Sequence, residues 1–206
     1  MKITVNDLGK KFNREWIFRN LDFSFEKGSS YSITGGNGSG KSTFIQALCG
    51  FIPTNEGEIE YEANGQKIEP DQFFQYFDIA TPYLELIEEF TLDEFLNFHF
   101  KFKKLTEGLK SNDFLDLVYL MNDRNKQIKN FSSGMKQRLK LGLCFFSRSE
   151  VCLLDEPTTN LDQKGTDWYR EQVETALSDK LVIVSSNQKL EYDFCDINLH
   201  IPDFKK

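Results

Sequence analysis

Strands alternating with helices along most of the chain predict a three-layer α/β/α domain with a mostly parallel sheet. Three observations carry that expectation. Residues 151–154 and 181–184 are short, wholly apolar runs, the pattern of parallel strands covered on both faces. Helical periodicity fills 135–146 before the first run and 166–177 between the two. A third strand, 31–34, enters a glycine-rich loop and leaves it as a helix over 42–48, stopped by Gly50 and followed by Pro53.

Ahead of this unit, 2–8 and 17–25 read as strands of an N-terminal antiparallel β subdomain, with a turn at 26–29. The middle of the chain breaks the alternation. Thr91-Leu92-Asp93-Glu94 is a capping box, and Leu92, Phe95, Leu96, Phe98 and Phe102 follow at helical spacing. A second helix is expected over 112–121, with Phe114, Leu115, Leu117 and Val118 inward. These segments form a helical lobe, about 83–145, inserted in a single domain spanning 1–206.

Composition bounds the function. The 206 residues suit one domain or two lobes sharing a core, and the 39% hydrophobic fraction is enough to build it. No apolar run reaches the roughly 18 residues of a membrane span. The opening MKITVNDLGKKF has no signal-like apolar core, so a cytoplasmic location is expected. A net charge of −7 argues against nucleic acid as a partner. Lys101, Lys103 and Lys104, with Phe100 and Phe102 between them, read as the solvated edge of a helix. Cys49, Cys144, Cys152 and Cys195 lie apart among apolar neighbours, as buried free thiols do; no zinc-ligand spacing links them to His99 or His200.

The chemistry begins at Gly35-Gly36-Asn37-Gly38-Ser39-Gly40-Lys41-Ser42, a full match to GxxxxGK[ST] between a strand and a helix, the mark of a P-loop NTPase. Glycines let backbone N–H groups turn inward onto phosphates, and the helix N-terminus adds partial positive charge. The expected ATP ligands are Gly35, Asn37, Gly38, Ser39, Gly40, Lys41, Ser42 and Thr43. Lys41 should reach the β- and γ-phosphates, and Ser42 should ligate Mg²⁺. The apolar run 151–154 ends in Asp155-Glu156. At the C-terminal edge of a buried strand Asp155 can hold Mg²⁺, and Glu156 can serve as general base or as orienter of an attacking water.

Together these motifs resemble the ATP-binding cassette (ABC) family, the nucleotide-binding subunits of ABC transporters, over nearly the whole chain. Phe131-Ser132-Ser133-Gly134-Met135-Lys136-Gln137-Arg138 is similar to the family signature LSGGQxQR, with Phe131, Ser133 and Met135 departing from it. The resemblance implies that Ser132, Ser133 and Gly134 cap the γ-phosphate of ATP held by the opposite subunit. It implies that Thr158-Thr159-Asn160-Leu161-Asp162 crosses the dimer interface, with Asp162 as its acid or as the cap of the next helix. Phe12 stands where the family stacks an aromatic on adenine, with Trp16 as the second candidate.

Two family positions are not met. Asn187 replaces the switch histidine; it can donate a hydrogen bond to the γ-phosphate but cannot transfer a proton near neutral pH, which predicts slow turnover. The glutamine at the junction with the helical lobe is missing near Thr81 and Pro82, with Glu85 or a water as substitutes. The resemblance implies an Mg-dependent ATPase that pairs with a second ABC subunit, expected as a homodimer, and drives a separate transmembrane permease from the cytoplasmic face of the membrane. The permease groove is expected beside 82–90. The short chain, with almost nothing after the last strand, loosely resembles compact haem-exporter-type cassettes. The alternatives are a soluble ABC ATPase of a cytosolic assembly pathway and a slow-turnover ATP-dependent switch.

Overall fold

The computed structural model describes residues 1–69 and 71–205. Two sheets organise it. β1 (Lys2–Phe12) pairs antiparallel with β2 (Glu15–Glu26) and β4 (Glu56–Ala63), and the two-residue β5 (Gln66–Lys67) completes the order β2-β1-β4-β5. The second sheet is parallel, in the order β6-β7-β8-β3-β9, built from β3 (Ser30–Thr34), β6 (Phe77–Ala80), β7 (Val151–Asp155), β8 (Leu181–Ser185) and β9 (Ile197–His200).

The apolar runs in β7 and β8 split by alternation. Val151, Leu153, Leu181 and Ile183 face a core shared with β1, β2 and α1 (Lys41–Leu48). Cys152, Leu154, Val182 and Val184 face a second core. That core holds residues of α2 (Leu92–His99), α3 (Ser111–Leu117), α4 (Ser133–Phe146) and α5 (Gln163–Leu177). Both faces of the strands are therefore dry, and each fully buried Val, Leu or Ile contributes about 1.5–3 kcal/mol. The capping box at Thr91 forms as expected, with Glu94 N–H donating to Thr91 Oγ1 and Thr91 N–H to Glu94 Oε2.

The structure corrects several expectations. α2 stops at His99, so Phe102 lies in the following turn, 66% exposed. α3 ends at Leu117 rather than 121. Lys103 is not a solvated edge: it donates to the carbonyls of Phe74 and Phe77 and pairs with Asp78 at 3.4 Å. Cys49, Cys144 and Cys152 are buried, whereas Cys195 is only half-buried. The chain does not run out after β8, because β9 forms an edge of the parallel sheet beside β3. Its polar face (His200 and Asn198 bond Thr34, and Asn198 bonds Ser32) hides the apolar signal that marks β7 and β8. Among the described residues no helix is long and apolar enough to cross a membrane.

Candidate active site

β3 delivers the chain into the glycine-rich loop and α1 carries it away. Gly40 has φ of 104°, and a Cβ there would run into the Ile17 side chain. Gly35, at φ 145°, would collide with Ser39. Both positions demand glycine for conformation and for space. Side-chain oxygens of Thr91, Ser132 and Asp162 cap α2, α4 and α5, whereas the N-cap residues of α1 (Gly40) and α3 (Lys110) make no side-chain cap bond. The first-turn N–H groups of α1 are thus left for an anion. Ser39 Oγ is also buried in the loop without a partner among the described residues. The Lys41 ammonium, buried under the loop, donates to the carbonyls of Gly35 at 3.0 Å and Gly36 at 3.3 Å. Residues 37–43, with Ile17, Tyr83 and Glu156, line a cavity of about 450 Å³.

The two acids at the end of β7 take different places. Asp155 is 2% exposed, and the strand register sets it opposite Ser185, whose hydroxyl donates to Asp155 Oδ1 at 2.6 Å. Among the described residues no Lys, Arg or His forms an ion pair with it. A buried carboxylate without a cation costs several kcal/mol (order of magnitude), so the position suits an external cation. Asp155 and Ser42 both line a second cavity of about 370 Å³, which also holds Tyr83 and Glu85. A hydroxyl and a carboxylate are the oxygen donors a hard cation such as Mg²⁺ takes. Glu156 faces the first cavity instead. Its backbone is left-handed, φ 46°, which costs a non-glycine residue about 1–3 kcal/mol and is a recurrent feature of active sites. Bonds from Glu156 N–H to the Ser185 carbonyl (2.9 Å) and from Thr159 N–H to the Glu156 carbonyl (3.1 Å) hold the turn.

Asn187 follows β8 on the exposed side of the site, and its amide donates to Asn37 Oδ1 of the phosphate loop at 2.7 Å. Sequence reasoning missed the residue that fixes this segment. Glu191, fully buried, accepts from Thr158 N–H at 2.8 Å, from the Thr158 hydroxyl and from the Ser186 hydroxyl. One carboxylate thereby joins the loop after Glu156 to the turn carrying Asn187. No local pattern separates Glu191 from a solvated glutamate. Ile17 and Tyr83, both on the cavity wall, were also missed.

Ser132, Ser133, Gly134 and Asp162 do not line either cavity of their own chain. Ser132 and Ser133 are exposed at the tip of α4, where Ser132 Oγ accepts from Met135 N–H at 3.2 Å. Gln137 anchors that tip by donating to the Pro157 carbonyl at 2.8 Å. Asp162 caps α5 through Gly165 N–H at 2.8 Å. Phe12 is 50% exposed at the end of the β1–β2 hairpin, with the Lys10 ammonium 4.9 Å from its ring. Trp16 is flanked by Lys11 and Arg19. Neither ring borders the phosphate cavity.

The family model described as ABC transporter matches residues 18–159. The chain is 30% identical to the uncharacterized ABC transporter ATP-binding protein YybJ of Bacillus subtilis, across 97% of this chain and 92% of that one. It is 30% identical to the lantibiotic transport ATP-binding protein SrtF of Streptococcus pyogenes, across 91% and 80%. A dimeric bacterial ABC transporter cassette superposes with a TM-score of 0.81 at 21% identity, covering 97% of this chain and 95% of that one.

Proposed function

The chain belongs to the ABC transporter family as an ATP-binding protein and an ATPase, and from that premise we propose that it binds Mg-ATP under the 35–43 loop, closes with a second cassette and drives a separate membrane permease. The observation that carries this reading is the convergence of Lys41, Ser42 and Glu156 on one cavity, with Asp155 beside it. Loop N–H groups and the Lys41 ammonium bind the phosphates. Ser42 and Asp155 are the residues that would hold Mg²⁺, which supplies positive charge to neutralise the phosphate oxygens. Glu156 orients the attacking water and accepts its proton as the bond to the γ-phosphorus forms and the β–γ bridging bond breaks. The Asn187 amide donates to the γ-phosphate. Phe12 stacks on the adenine from outside the phosphate cavity.

Ser132, Ser133 and Gly134 serve the ATP of the opposite subunit. The exposure of Ser132 and Ser133, and the absence of all three from the lining of their own chain's cavities, support a dimer, as does the likeness to a dimeric cassette. The names of the relatives support transport, with the chain acting peripherally at the membrane. A slow-turnover switch is the second reading, favoured by Asn187, which has no titratable proton to move.

The test is Mg-ATP turnover of wild type and Glu156→Gln, with size-exclusion chromatography of both in ATP. The proposal expects turnover to vanish in the variant and an ATP-dependent dimer to accumulate. Turnover that survives the substitution contradicts it.

A further inference from the structure

Resting on the reading of the 35–43 loop as the ATP site, we infer that Tyr83 discriminates ATP from ADP by donating its phenol O–H to the γ-phosphate, in the place of the missing junction glutamine. After β6 the chain turns tightly. Thr81 Oγ1 accepts from Tyr83 N–H at 3.0 Å, and the Thr81 carbonyl accepts from Leu84 N–H at 3.2 Å. The Lys140 ammonium, anchored on α4, also donates to that carbonyl at 3.1 Å. The turn is thus tied to the helical segment, and it presents Tyr83, together with Ser42, to both cavities. In the first cavity Tyr83 faces Lys41, Ser42 and Glu156; in the second it faces Ser42 and Asp155.

Charge separates Tyr83 from the alternative, Glu85. Glu85 lines only the second cavity, and a carboxylate repels a phosphate unless a cation stands between them. A phenol is neutral, donates one hydrogen bond and accepts others, as a glutamine amide does. Tyr83 is 71% exposed, so its hydroxyl can be removed without opening the core.

The experiment is equilibrium binding of ATP and of ADP, each with Mg²⁺, to wild type, Tyr83→Phe and Tyr83→Gln. The expected result is an ATP affinity about tenfold lower in Tyr83→Phe with ADP affinity unchanged, since a hydrogen bond to a charged group carries about one to two decades of affinity. Tyr83→Gln should restore most of the ATP-to-ADP ratio. A ratio unchanged in Tyr83→Phe overturns the assignment. So does an equal loss for both nucleotides, which marks a merely structural side chain. A wild type that binds neither nucleotide overturns the underlying reading of the loop, and the assignment with it.

Discussion

The two ends of the parallel sheet each bury a carboxylate against a serine, and they resolve its charge differently. At the N-terminal end, Asp78 accepts from Ser147 and pairs with Lys103. Lys180, buried before β8, donates to the Ser147 hydroxyl at 3.2 Å, to Ser149 Oγ at 3.3 Å and to the carbonyls of Cys144 and Ser147. At the C-terminal end, Asp155 accepts from Ser185, and the described residues bring it no cation. A buried carboxylate supplied with ammonium groups by its own chain is architecture. One left with only a hydroxyl, beside a loop built for phosphates, is where a cation from solution belongs.

Breaking the C-terminal end should cost function without cost to the fold. Asp155→Asn still accepts from Ser185, so its unfolding midpoint should stay near wild type while ATP turnover falls by about 10²–10³, the loss typical of one electrostatic catalytic group. Breaking the N-terminal end should do the reverse. Lys180→Ala strips donors from two buried serines and a cation from the neighbourhood of Asp78, an expected loss of about 1–3 kcal/mol. Thermal unfolding should fall by roughly 2–4 °C per kcal/mol for a domain of this size. Turnover per folded molecule should be retained.

Asn187→His tests whether the C-terminal end lacks only a proton carrier. Turnover should rise, by about tenfold or more given the 10²–10⁴ range of general acid–base catalysis. An unchanged rate would end the slow-turnover idea. The smallest effect concerns His99, which lines a cavity with Asp78 and Lys103. Burial lowers its pKa below the ordinary 6.5, and Lys103 adds to the lowering while Asp78 opposes it. The unfolded chain therefore binds a proton that the folded chain refuses, and stability should fall as pH drops through about 6.5. His99→Phe should flatten that slope, measured by denaturant unfolding between pH 7.5 and 5.

The two ends also differed in how readable they were. Asp155 and Glu156 stood out because they terminate an apolar strand downstream of a complete phosphate loop. β7 and β8 were legible for the same reason. Asp78, Lys180 and Glu191 were not: their farthest partners are 69, 36 and 33 residues away, and a buried charge in sequence looks like a solvated one. β9 was hidden because its burial pattern leaves only Leu199 inside. Tyr83 carries no signal of its own within 82–90, since its place on the cavity wall depends on the turn after β6.

The most direct measurement is the thermal unfolding midpoint in ATP plus Mg²⁺ against ATP plus EDTA, for wild type, Asp155→Asn and Asp78→Asn. A cation bound at 100 times its Kd stabilises the native state by about 2.7 kcal/mol, or roughly 5–10 °C here. Wild type and Asp78→Asn should keep this magnesium increment, the latter from a lower baseline, and Asp155→Asn should lose it. A full increment in Asp155→Asn would contradict the assignment of the C-terminal end as the cation's seat.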